Sequence, residues 1–286
     1  ELPGSRGLYC QFGGAEVVSA THESHQLVRC ESPQSHGAFL GPVAVRLINN
    51  DAVYTSEVAF TYRSLSTVSR VHPVVGAFEG GTLLTLYGTG FVESLDAYCR
   101  FGDVATVPGR LVSAGVLECV TPQPAVAGYV GVEVTMNAQD YSADGVQFEF
   151  LPEVQVLALE PSKGPAAGGS LVNVTGSGFS QRAALLGYLS CRFNLSFAPA
   201  VWVSEREVHC ISPEHAAGVV SVELTQNEQQ FTFASVQYEY QHVAIHTLHP
   251  GVGPVQGGTL VELRGSHFEL PGSRGLYCQF GGAEVV

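Results

Sequence analysis

Residues 73–91 of this chain read PVVGAFEGGTLLTLYGTGF, residues 161–179 read PSKGPAAGGSLVNVTGSGF and residues 250–268 read PGVGPVQGGTLVELRGSHF. In each stretch a proline is followed by a glycine three residues later, by a Gly-Gly pair seven residues later and by a phenylalanine eighteen residues later. The stretches begin at Pro73, Pro161 and Pro250, so their spacing along the chain is almost constant. Self-similarity at a fixed period is the signature of repeated structural units, so the sequence predicts a tandem array of one domain type.

The similarity extends downstream of each phenylalanine. A Cys-x-Phe triplet precedes a Cys-x-[Ser/Thr]-Pro quartet at a nearly constant spacing, and a valine-rich segment then runs to Asn137 or Asn227. Thirteen residues after that asparagine, the unit closes on a pair of aromatic residues. The closing pairs are Phe148 with Phe150 and Tyr238 with Tyr240. Each unit therefore has the size of a small domain.

A second, longer period also runs through the chain. Residues 1–18, ELPGSRGLYCQFGGAEVV, recur unchanged as residues 269–286, so the sequence repeats with a period of 268. Three of the shorter units fill one such period, so we predict a three-domain super-repeat. Four segments follow, which we call the back segment, the first complete domain, the second complete domain and the front segment. Their bounds are 1–63, 64–150, 151–241 and 242–286.

The back and front segments are complementary parts of one domain type. We expect the chain to be an excerpt from a longer array in which each such domain is whole. The alternative is that the front part of one molecule completes the back part of the next through an open sheet edge. The second copy of residues 1–18 disfavours this alternative, because residues 242–268 alone would be needed.

Apolar and polar residues alternate within each unit. In the first complete domain, Leu84 and Leu86 are predicted to face the core, while Thr85 and Tyr87 point outward. The equivalent inward positions are Val172 with Val174, and Val261 with Leu263. A period of two is typical of a strand with one buried face. Such strands recur about every 8 to 12 residues between Gly, Pro, Asn and Asp, which predicts an all-β chain of antiparallel two-sheet sandwiches.

The motif series P-x-x-G, GG[TS], G-x-x-F, C-x-F-[GN] and C-x-[ST]-P resembles that of the IPT/TIG domain, an immunoglobulin-like fold shared by plexins and certain transcription factors. The resemblance covers the whole chain and implies tandem immunoglobulin-like sandwiches, two complete and two partial. Because the motifs are turn and core residues, they specify the fold more than the function. Asn194 and His267 depart from the series, since both stand where the other units have glycine.

The seven cysteines are spaced as one pair per domain with one left over. The predicted disulfides are Cys10–Cys30, Cys99–Cys119 and Cys191–Cys210, while Cys278 is equivalent to Cys10 and has its partner outside this sequence. No Cys-x-x-Cys element is present, so disulfides formed in an oxidising compartment are favoured over redox or zinc chemistry. Each would stabilise its domain by roughly 3 kcal/mol. The alternative is free buried cysteine, which is also common in protein cores.

Two N-glycosylation sequons occur, both in the second complete domain. They are Asn173-Val174-Thr175 and Asn194-Leu195-Ser196. The alternation places Asn173 on the outward face of its strand, and Asn194 replaces a turn glycine, so both side chains can be exposed. We expect an N-linked glycan on at least one of them, the alternative being a chance match of a common tripeptide.

The remaining polar clusters predict no metal site, no cofactor and no enzyme. Two groups of histidines do not converge on one strand face, and the run Asn137, Asp140 and Asp144 lacks the dense oxygen ligands of a calcium loop. The histidines are His22, His25, His242, His246, His249 and His267. Trp202 is interpreted as a packed or partly exposed aromatic residue. No phosphate-binding loop, GxSxG or HExxH motif is present in the sequence.

The amino-acid composition argues against two classes of partner, nucleic acid and the interior of a membrane. The formal net charge is −13, and Lys163 is the single lysine beside 12 arginines, so nucleic acid is not expected as a partner. No apolar run long enough to cross a bilayer occurs, so no membrane span is predicted in this segment. Adjacent units are joined by short apolar stretches without Gly/Ser spacers, which predicts a stiff array.

These observations favour a structural protein outside the cell. We expect a fibre or surface filament built from the three-domain super-repeat, with copies of the same chain as partners and N-linked glycans on one domain of three. The alternative is a receptor or adhesin stalk that binds a protein or glycan ligand at the cell surface, as the resemblance to plexins implies. A third hypothesis, an accessory module of a carbohydrate-active enzyme, is disfavoured by the unchanged recurrence of residues 1–18.

Overall fold

The computed structural model describes residues 7–35, 40–50, 52–234, 236–268 and 277–281, without the side chains of Ser56 and Glu57. The described chain is almost entirely β-structure, which confirms the all-β prediction, and its one helix is a single short turn in the second complete domain. The chain divides into two compact units, residues 1–66 and residues 67–286. Both complete domains belong to the second unit.

The back segment forms one antiparallel sheet with the strand order β3-β2-β1-β4-β5. Its strands are β1 (Leu8–Phe12), β2 (Val18–Ser24), β3 (Leu27–Cys30), β4 (Gly41–Asn49) and β5 (Ala52–Tyr62). The Phe12 and Phe60 rings meet edge-on, with centroids 5.1 Å apart, and Phe60 meets Tyr62 in the same way at 5.0 Å. Among the described residues, no strand pairs with the outer edge of β3 or of β5.

The first complete domain is an eight-stranded sandwich. Its strands are β6 (Thr67–His72), β7 (Val75–Gly76), β8 (Leu83–Thr89), β9 (Tyr98–Phe101), β10 (Ala105–Ser113), β11 (Val116–Val120), β12 (Gly128–Thr135) and β13 (Gln147–Phe150). Hydrogen bonds connect them in the order β6-β8-β11-β10-β9-β12-β13-β7. Leu84 and Leu86 of β8 are fully buried, as the alternation predicts.

The second complete domain repeats this topology and adds a helix. Its elements are β14 (Gln155–Glu160), β15 (Lys163–Pro165), β16 (Leu171–Ser177), α1 (Gln181–Leu185), β17 (Ser190–Phe193), β18 (Ser196–Ser204), β19 (Glu207–Ile211), β20 (Gly218–Thr225) and β21 (Gln237–Gln241). The Ser180 hydroxyl accepts a hydrogen bond from the Ala183 N–H and so caps α1. Gln226 accepts from the Ser180 N–H at 2.6 Å, at a position where the first complete domain has Met136. The sequence patterns do not predict α1, because one helical turn is too short to show a helical period.

In both complete domains the first strand is split, and its two halves pair with strands at opposite ends of the sheet order. β6 pairs antiparallel with β8, whereas β7 pairs parallel with β13. The break contains Pro73, which has no N–H to donate to a neighbouring strand. β14 and β15 divide around Pro161 in the same way. The two halves of the split strand are thus the terminal strands in the hydrogen-bonded order of each complete domain.

The core of each complete domain is built around its closing aromatic pair. Phe148 and Phe150 meet edge-on with ring centroids 5.0 Å apart, and Phe101 packs against both. In the second complete domain Tyr238 and Tyr240 take these positions at 4.9 Å. Edge-to-face contacts of this kind stabilise a core beyond the effect of the buried area alone.

The front segment contributes an antiparallel strand pair. Its strands are β22 (Ala244–His249) and β23 (Glu262–Ser266), which correspond to β6 and β8. Val261 and Leu263, which the alternation places on the inward face, are only half-buried. Among the described residues, β22 and β23 pair only with each other.

The two departures from the repeat both lie at left-handed backbone positions. Asn194 has φ 56°, and the equivalent Gly13 and Gly102 have φ 58° and 47°. His267 has φ 59°, where Gly90 and Gly178 have 78° and 76°. Glycine adopts this conformation at the lowest cost, and asparagine tolerates it better than most residues. The repeat therefore imposes the same turns on residues of different type.

Candidate functional site at the joint between the complete domains

The two complete domains meet at a short joint. β13 ends at Phe150 and β14 begins at Gln155, so four residues connect them. Leu151 in this connection is buried, and Val75 of β7 is shielded completely from solvent. Both side chains belong to the hydrophobic cluster of the second complete domain. Apolar packing therefore extends across the joint.

A loop after β20 is shaped to reach the neighbouring domain. Asn227 Oδ1 accepts hydrogen bonds from the backbone N–H groups of Gln229 and Gln230, at 3.2 and 3.0 Å. Glu228 between them has φ 63°. This is the local turn chemistry that asparagine favours, and it leaves the amide side chains of residues 229 and 230 directed away from their own sheet.

Gln229 binds the backbone of the first complete domain at both ends of its amide group. Its Oε1 accepts from the Leu83 N–H at 2.8 Å, and its Nε2 donates to the Leu83 carbonyl at 3.0 Å. Leu83 is the first residue of β8, and both its backbone N–H and its carbonyl oxygen bind Gln229. The side chain of Gln229 thus makes the pair of hydrogen bonds that an adjacent strand would make.

Gln230 and Asn227 bind the two residues before Leu83. Gln230 Nε2 donates to the Gly81 carbonyl at 3.0 Å, and Gln230 Oε1 accepts from the Thr82 hydroxyl at 2.8 Å. Asn227 Nδ2 lies 3.1 Å from the same hydroxyl oxygen. Thr82 is fully buried; its backbone groups pair with Thr121, and its hydroxyl proton is donated to Gln230. We call Asn227, Gln229 and Gln230 the amide clamp.

Charged and aromatic contacts flank the amide clamp. Arg182 of α1 lies 2.9 Å from Glu149 of β13, measured from Nε to Oε2, and its guanidinium lies 5.3 Å from the centre of the Tyr129 ring. Desolvation and a hydrogen bond to Glu149 raise the pKa of the Tyr129 hydroxyl. Farther around the joint, the Tyr188 hydroxyl is 3.3 Å from His72 Nδ1. The amide clamp, the contacts of Arg182 and the contact between Tyr188 and His72 therefore lie around the connection between the two complete domains.

An open cleft of about 550 Å³ lies beside the amide clamp. Its lining residues include Phe78, Pro152, Phe231 and Phe233, and Phe233 is 98% exposed. The residues that the structure shows around this cleft include no histidine, cysteine, serine or lysine. The Thr232 hydroxyl in the lining is buried and donates a hydrogen bond to Glu223 Oε2 at 2.7 Å, where it also accepts from the Leu224 N–H and so holds the loop to its own strand.

The structure places three disulfide bonds in equivalent positions. They join Cys10 to Cys30, Cys99 to Cys119 and Cys191 to Cys210. In the complete domains each bond links the two strands that flank β10 or β18, and both cysteines are buried. Cys278 has no disulfide partner among the described residues, and the predicted partner outside this sequence stays a prediction.

The two sequon asparagines have different surroundings. Asn194 is exposed at the turn between β17 and β18, with its Nδ2 3.4 Å from His215 Nε2. Asn173 is half-buried in β16, directly opposite Glu160 of β14 and His209 of β19. A glycan on Asn194 would extend into solvent from a turn, whereas one on Asn173 would have to pass between the side chains of two neighbouring strands.

The other residues considered for chemistry serve local structure. Asn137 Nδ2 donates to Asp140 Oδ2 at 2.7 Å, and Asp144 Oδ2 accepts from the Val68 N–H at 2.6 Å. Trp202 donates its indole N–H to the Phe179 carbonyl at 2.9 Å. Within the described ranges, no three His, Cys, Asp or Glu side chains are close enough together to hold a metal ion. His267 Nδ1 lies 3.1 Å from the His242 carbonyl oxygen.

Sequence reasoning identified Asn227 as a repeat marker but missed the roles of Gln229, Gln230 and Arg182. The only available signal was the pair of amide side chains after Asn227, where the first complete domain has Gln139 and Asp140. A pattern within one domain does not show which neighbour its loop will contact.

Comparisons with known proteins agree with this architecture. Residues 66–150 and 155–240, more than half of the chain, match the family model of the IPT/TIG domain. The chain is 30% identical to Plexin-B2 of Mus musculus over 152 residues, which cover 53% of this chain and 8% of the relative. It is 26% identical to Fibrocystin-L of Homo sapiens over 237 residues, which cover 78% of this chain and 5% of the relative. The chain thus spans a small part of the length of these relatives.

A solved structure of the full extracellular region of plexin A4 aligns with 93% of this chain and 28% of its own length. The TM-score is 0.45 and the sequence identity is 15%. No helix in the described ranges is long and apolar enough to cross a membrane.

Proposed function

This chain belongs to the IPT/TIG domain family, and on that premise we propose that it is a segment of a stiff extracellular stalk. The observation that carries the proposal is the amide clamp, through which one domain holds the backbone of the next. Hydrogen bonds to Gly81, Thr82 and Leu83 fix the rotation of the two domains, while Leu151 and Val75 supply apolar contact. A stiff stalk holds a bound ligand at a defined distance from the base of the stalk.

Residual dipolar couplings of the full chain test the stiffness. In the wild-type protein we expect the amide couplings of the two complete domains to fit one alignment tensor. The double variant Gln229→Ala/Gln230→Ala removes the side chains of the clamp, so the domains should then require two tensors. Gln139→Ala, at the position equivalent to Gln229, is the matched control and should leave the common tensor intact. Independent tensors in the wild-type chain would refute a stiff joint.

An extracellular location is supported by the three disulfides, which persist in oxidising compartments. Antibodies against the complete domains should label unpermeabilised source cells or the surrounding matrix. Labelling only after permeabilisation would contradict this part of the proposal.

A second candidate is a fibre or surface filament. The unchanged recurrence of residues 1–18 at positions 269–286 favours it, because an exact period gives every repeat an equivalent neighbour. Electron microscopy of material from the source distinguishes the two: filaments with a repeat that contains three domains support a fibre, and single rods support a stalk.

The finer part of the proposal is a glycan on Asn194. Exposure at a turn supports this position over Asn173, which lies between two paired strands. Intact glycopeptide analysis of source material should show occupancy at Asn194 that exceeds occupancy at Asn173. Asn194→Gln should remove most of the glycan mass and Asn173→Gln little of it; bare asparagine at position 194 would contradict the assignment.

A further inference from the structure

The first complete domain makes a strand-edge contact that the second complete domain lacks. The Val68 N–H of β6 donates to Asp144 Oδ2 at 2.6 Å. Gly88, which lies opposite Val68, donates its own N–H to the Gly115 carbonyl. The backbone groups of such a pair point away from each other, so the Val68 N–H lies on the outer edge of β6. The Asp144 carboxylate therefore takes the place of a neighbouring strand at this edge.

The second complete domain keeps this backbone arrangement but not the acceptor. Val156 of β14 lies opposite Gly176, whose N–H donates to the Arg206 carbonyl. The Val156 N–H thus points to the outer edge of β14, which is a terminal strand in the sheet order. Ala234 stands at the position of Asp144, and its methyl group cannot accept a hydrogen bond. Val156 lines the open cleft beside the amide clamp, so this donor lies at the wall of the cleft.

The same loop adds an apolar side chain to the cleft. Phe233 stands where the first complete domain has Ala143, and it is 98% exposed. Leu157 of β14 is 67% exposed. Both line the cleft together with the half-buried Phe78 and Phe231. Large apolar side chains that are exposed as a group mark binding surfaces. Relative to the first complete domain, the loop before β21 therefore has an exposed apolar surface in place of a hydrogen-bond acceptor.

The charges of the lining restrict the ligand further. Among the described residues that line the cleft, Glu79 and Glu153 are charged, and none is basic. Both are exposed, and Glu153 Oε1 accepts from the neutral Nε2 group of Gln155 at 3.3 Å. Two carboxylates beside an apolar surface favour a ligand with an apolar group next to a positive charge. A second copy of this chain is a poorer match, since its formal net charge is −13.

We propose that the open cleft binds an extended segment of a partner protein in which a large apolar residue is adjacent to lysine or arginine. A backbone carbonyl of the segment accepts from the Val156 N–H, as the carboxylate does at the equivalent edge of the first complete domain. The apolar side chain packs against Phe233 and Leu157, and the basic side chain lies near Glu79 or Glu153. In such an addition to a sheet edge, main-chain hydrogen bonds supply affinity and side-chain contacts supply specificity.

A glycan fits the cleft less well, because the amide side chains in its lining already bind protein groups. Gln226 accepts from the Ser180 N–H and donates to the Gly178 carbonyl. Asn227 and Gln230 form part of the amide clamp. The hydroxyl groups of a glycan would need amides of this kind as partners.

This inference goes beyond the proposed stalk, to which it adds a ligand. The stiffness of the stalk depends on the amide clamp, whereas the peptide site depends on Val156, Phe233 and two glutamates. A failure to bind peptide would leave the dipolar-coupling result unchanged. Two independent alignment tensors would not remove the donor or the exposed phenylalanine from the second complete domain.

Selection from a random heptapeptide library against the full chain of residues 1–286 tests the class of ligand. We expect the enriched peptides to carry a large apolar residue adjacent to lysine or arginine. A library that yields no enriched sequence overturns the proposal. So does a consensus that is acidic or that contains no large apolar residue.

Titration of the consensus peptide against surface variants locates the site. Phe233→Ser should weaken binding about tenfold or more, because it removes the most exposed apolar contact. Leu95→Ser changes a side chain that is 99% exposed and does not line the cleft, so this control should bind as the wild type does. Glu79→Gln/Glu153→Gln should weaken binding roughly fivefold and reduce its salt dependence. Equal binding by the wild type and Phe233→Ser overturns the proposal.

Hydrogen exchange tests the strand-edge contact. The consensus peptide should slow exchange of the Val156 N–H at least about tenfold. Ala234→Asn places an amide oxygen where the first complete domain has the Asp144 carboxylate. It should slow exchange at Val156 without peptide, which also shows that the domain is folded, and weaken peptide binding roughly fivefold. Exchange at Val156 that the peptide leaves unchanged overturns the proposal, as does wild-type affinity in Ala234→Asn.

Two further measurements distinguish other occupants of the cleft. Self-association of the full chain that Phe233→Ser abolishes would assign the cleft to a second copy. Binding to a glycan array with the same dependence on Phe233 would assign it to a carbohydrate. Either result overturns the assignment of a basic and apolar protein segment.

Discussion

In the loop after β12, Asn137 Oδ1 accepts hydrogen bonds from the N–H groups two and three residues downstream, at 3.1 and 2.9 Å. In the loop after β20, Asn227 Oδ1 accepts the same two bonds at 3.2 and 3.0 Å. The residue after each asparagine has a positive φ, 60° at Ala138 and 63° at Glu228. The buried Thr135 and Thr225 hydroxyls accept from the loop backbone in both cases. The two loops thus share one backbone frame.

The Nδ2 groups of Asn137 and Asn227 bind different partners. Asn137 Nδ2 donates to Asp140 within its own loop, whereas Asn227 Nδ2 contacts Thr82 of the neighbouring domain. Asn137 is exposed and Asn227 is 4% exposed. The repeat therefore fixes the shape of the loop, and a few side chains decide whether that loop also holds a joint.

Replacing the two asparagines by alanine should separate these roles most strongly. Asn227→Ala removes the acceptor for two backbone N–H groups and a partner of buried Thr82, so we expect a loss of about 2–3 kcal/mol in the free energy of unfolding. Asn137→Ala removes the same two bonds at an exposed site, where water can replace them, and should cost about 1 kcal/mol. Denaturant unfolding of the full chain measures both values.

If the two variants lose the same free energy of unfolding, the contacts of Asn227 across the joint do not stabilise the protein. Hydrogen exchange at Leu83 supplies the control, because its N–H donates to Gln229 in the loop that Asn227 shapes. Exchange at Leu83 should accelerate in Asn227→Ala and remain unchanged in Asn137→Ala.

A second comparison concerns two equivalent turns. Gly102 lies in the turn between β9 and β10, and Asn194 lies in the turn between β17 and β18. A Cβ on Gly102 would meet Val130 at an ordinary 3.7 Å, so substitution there is opposed by the backbone conformation alone. Gly102→Ala should destabilise the first complete domain by about 1–2 kcal/mol. Asn194→Gly should stabilise the second by less than about 1 kcal/mol, since asparagine already tolerates a positive φ.

Thermal unfolding of unglycosylated protein checks these two changes. Gly102→Asn is the intermediate case and should fall between Gly102→Ala and the wild type. A destabilising effect of Asn194→Gly would mean that its contact with His215 matters more than the backbone conformation.

Sequence alone predicted the features that each unit contains within itself. The inward positions of β8 and β16, the turn at Asn194 and the cysteine spacing all depend on neighbours in the same domain, so they leave a repeated pattern. The amide clamp could not be predicted in this way, because Gln229 and Leu83 are far apart in the sequence and belong to different domains. The half-buried state of Val261 and Leu263 was also missed, since alternation indicates the inward face but not whether a partner covers it.

The smallest effect is expected at the ion pair that flanks the joint. Arg182→Ala removes the contact with Glu149, but the arginine side chain is 46% exposed, so the loss should be about 0.2–1 kcal/mol. A double-mutant cycle with Glu149→Gln isolates the pairwise energy. That energy should fall when the salt concentration is raised from about 50 mM to about 500 mM, because salt screens exposed charges. The amide clamp carries no formal charge, so its contribution should not change over the same range. If the coupling between Arg182 and Glu149 does not fall with salt, the ion pair is not a screened surface contact. It would then share with Gln229 and Gln230 the role of fixing the joint.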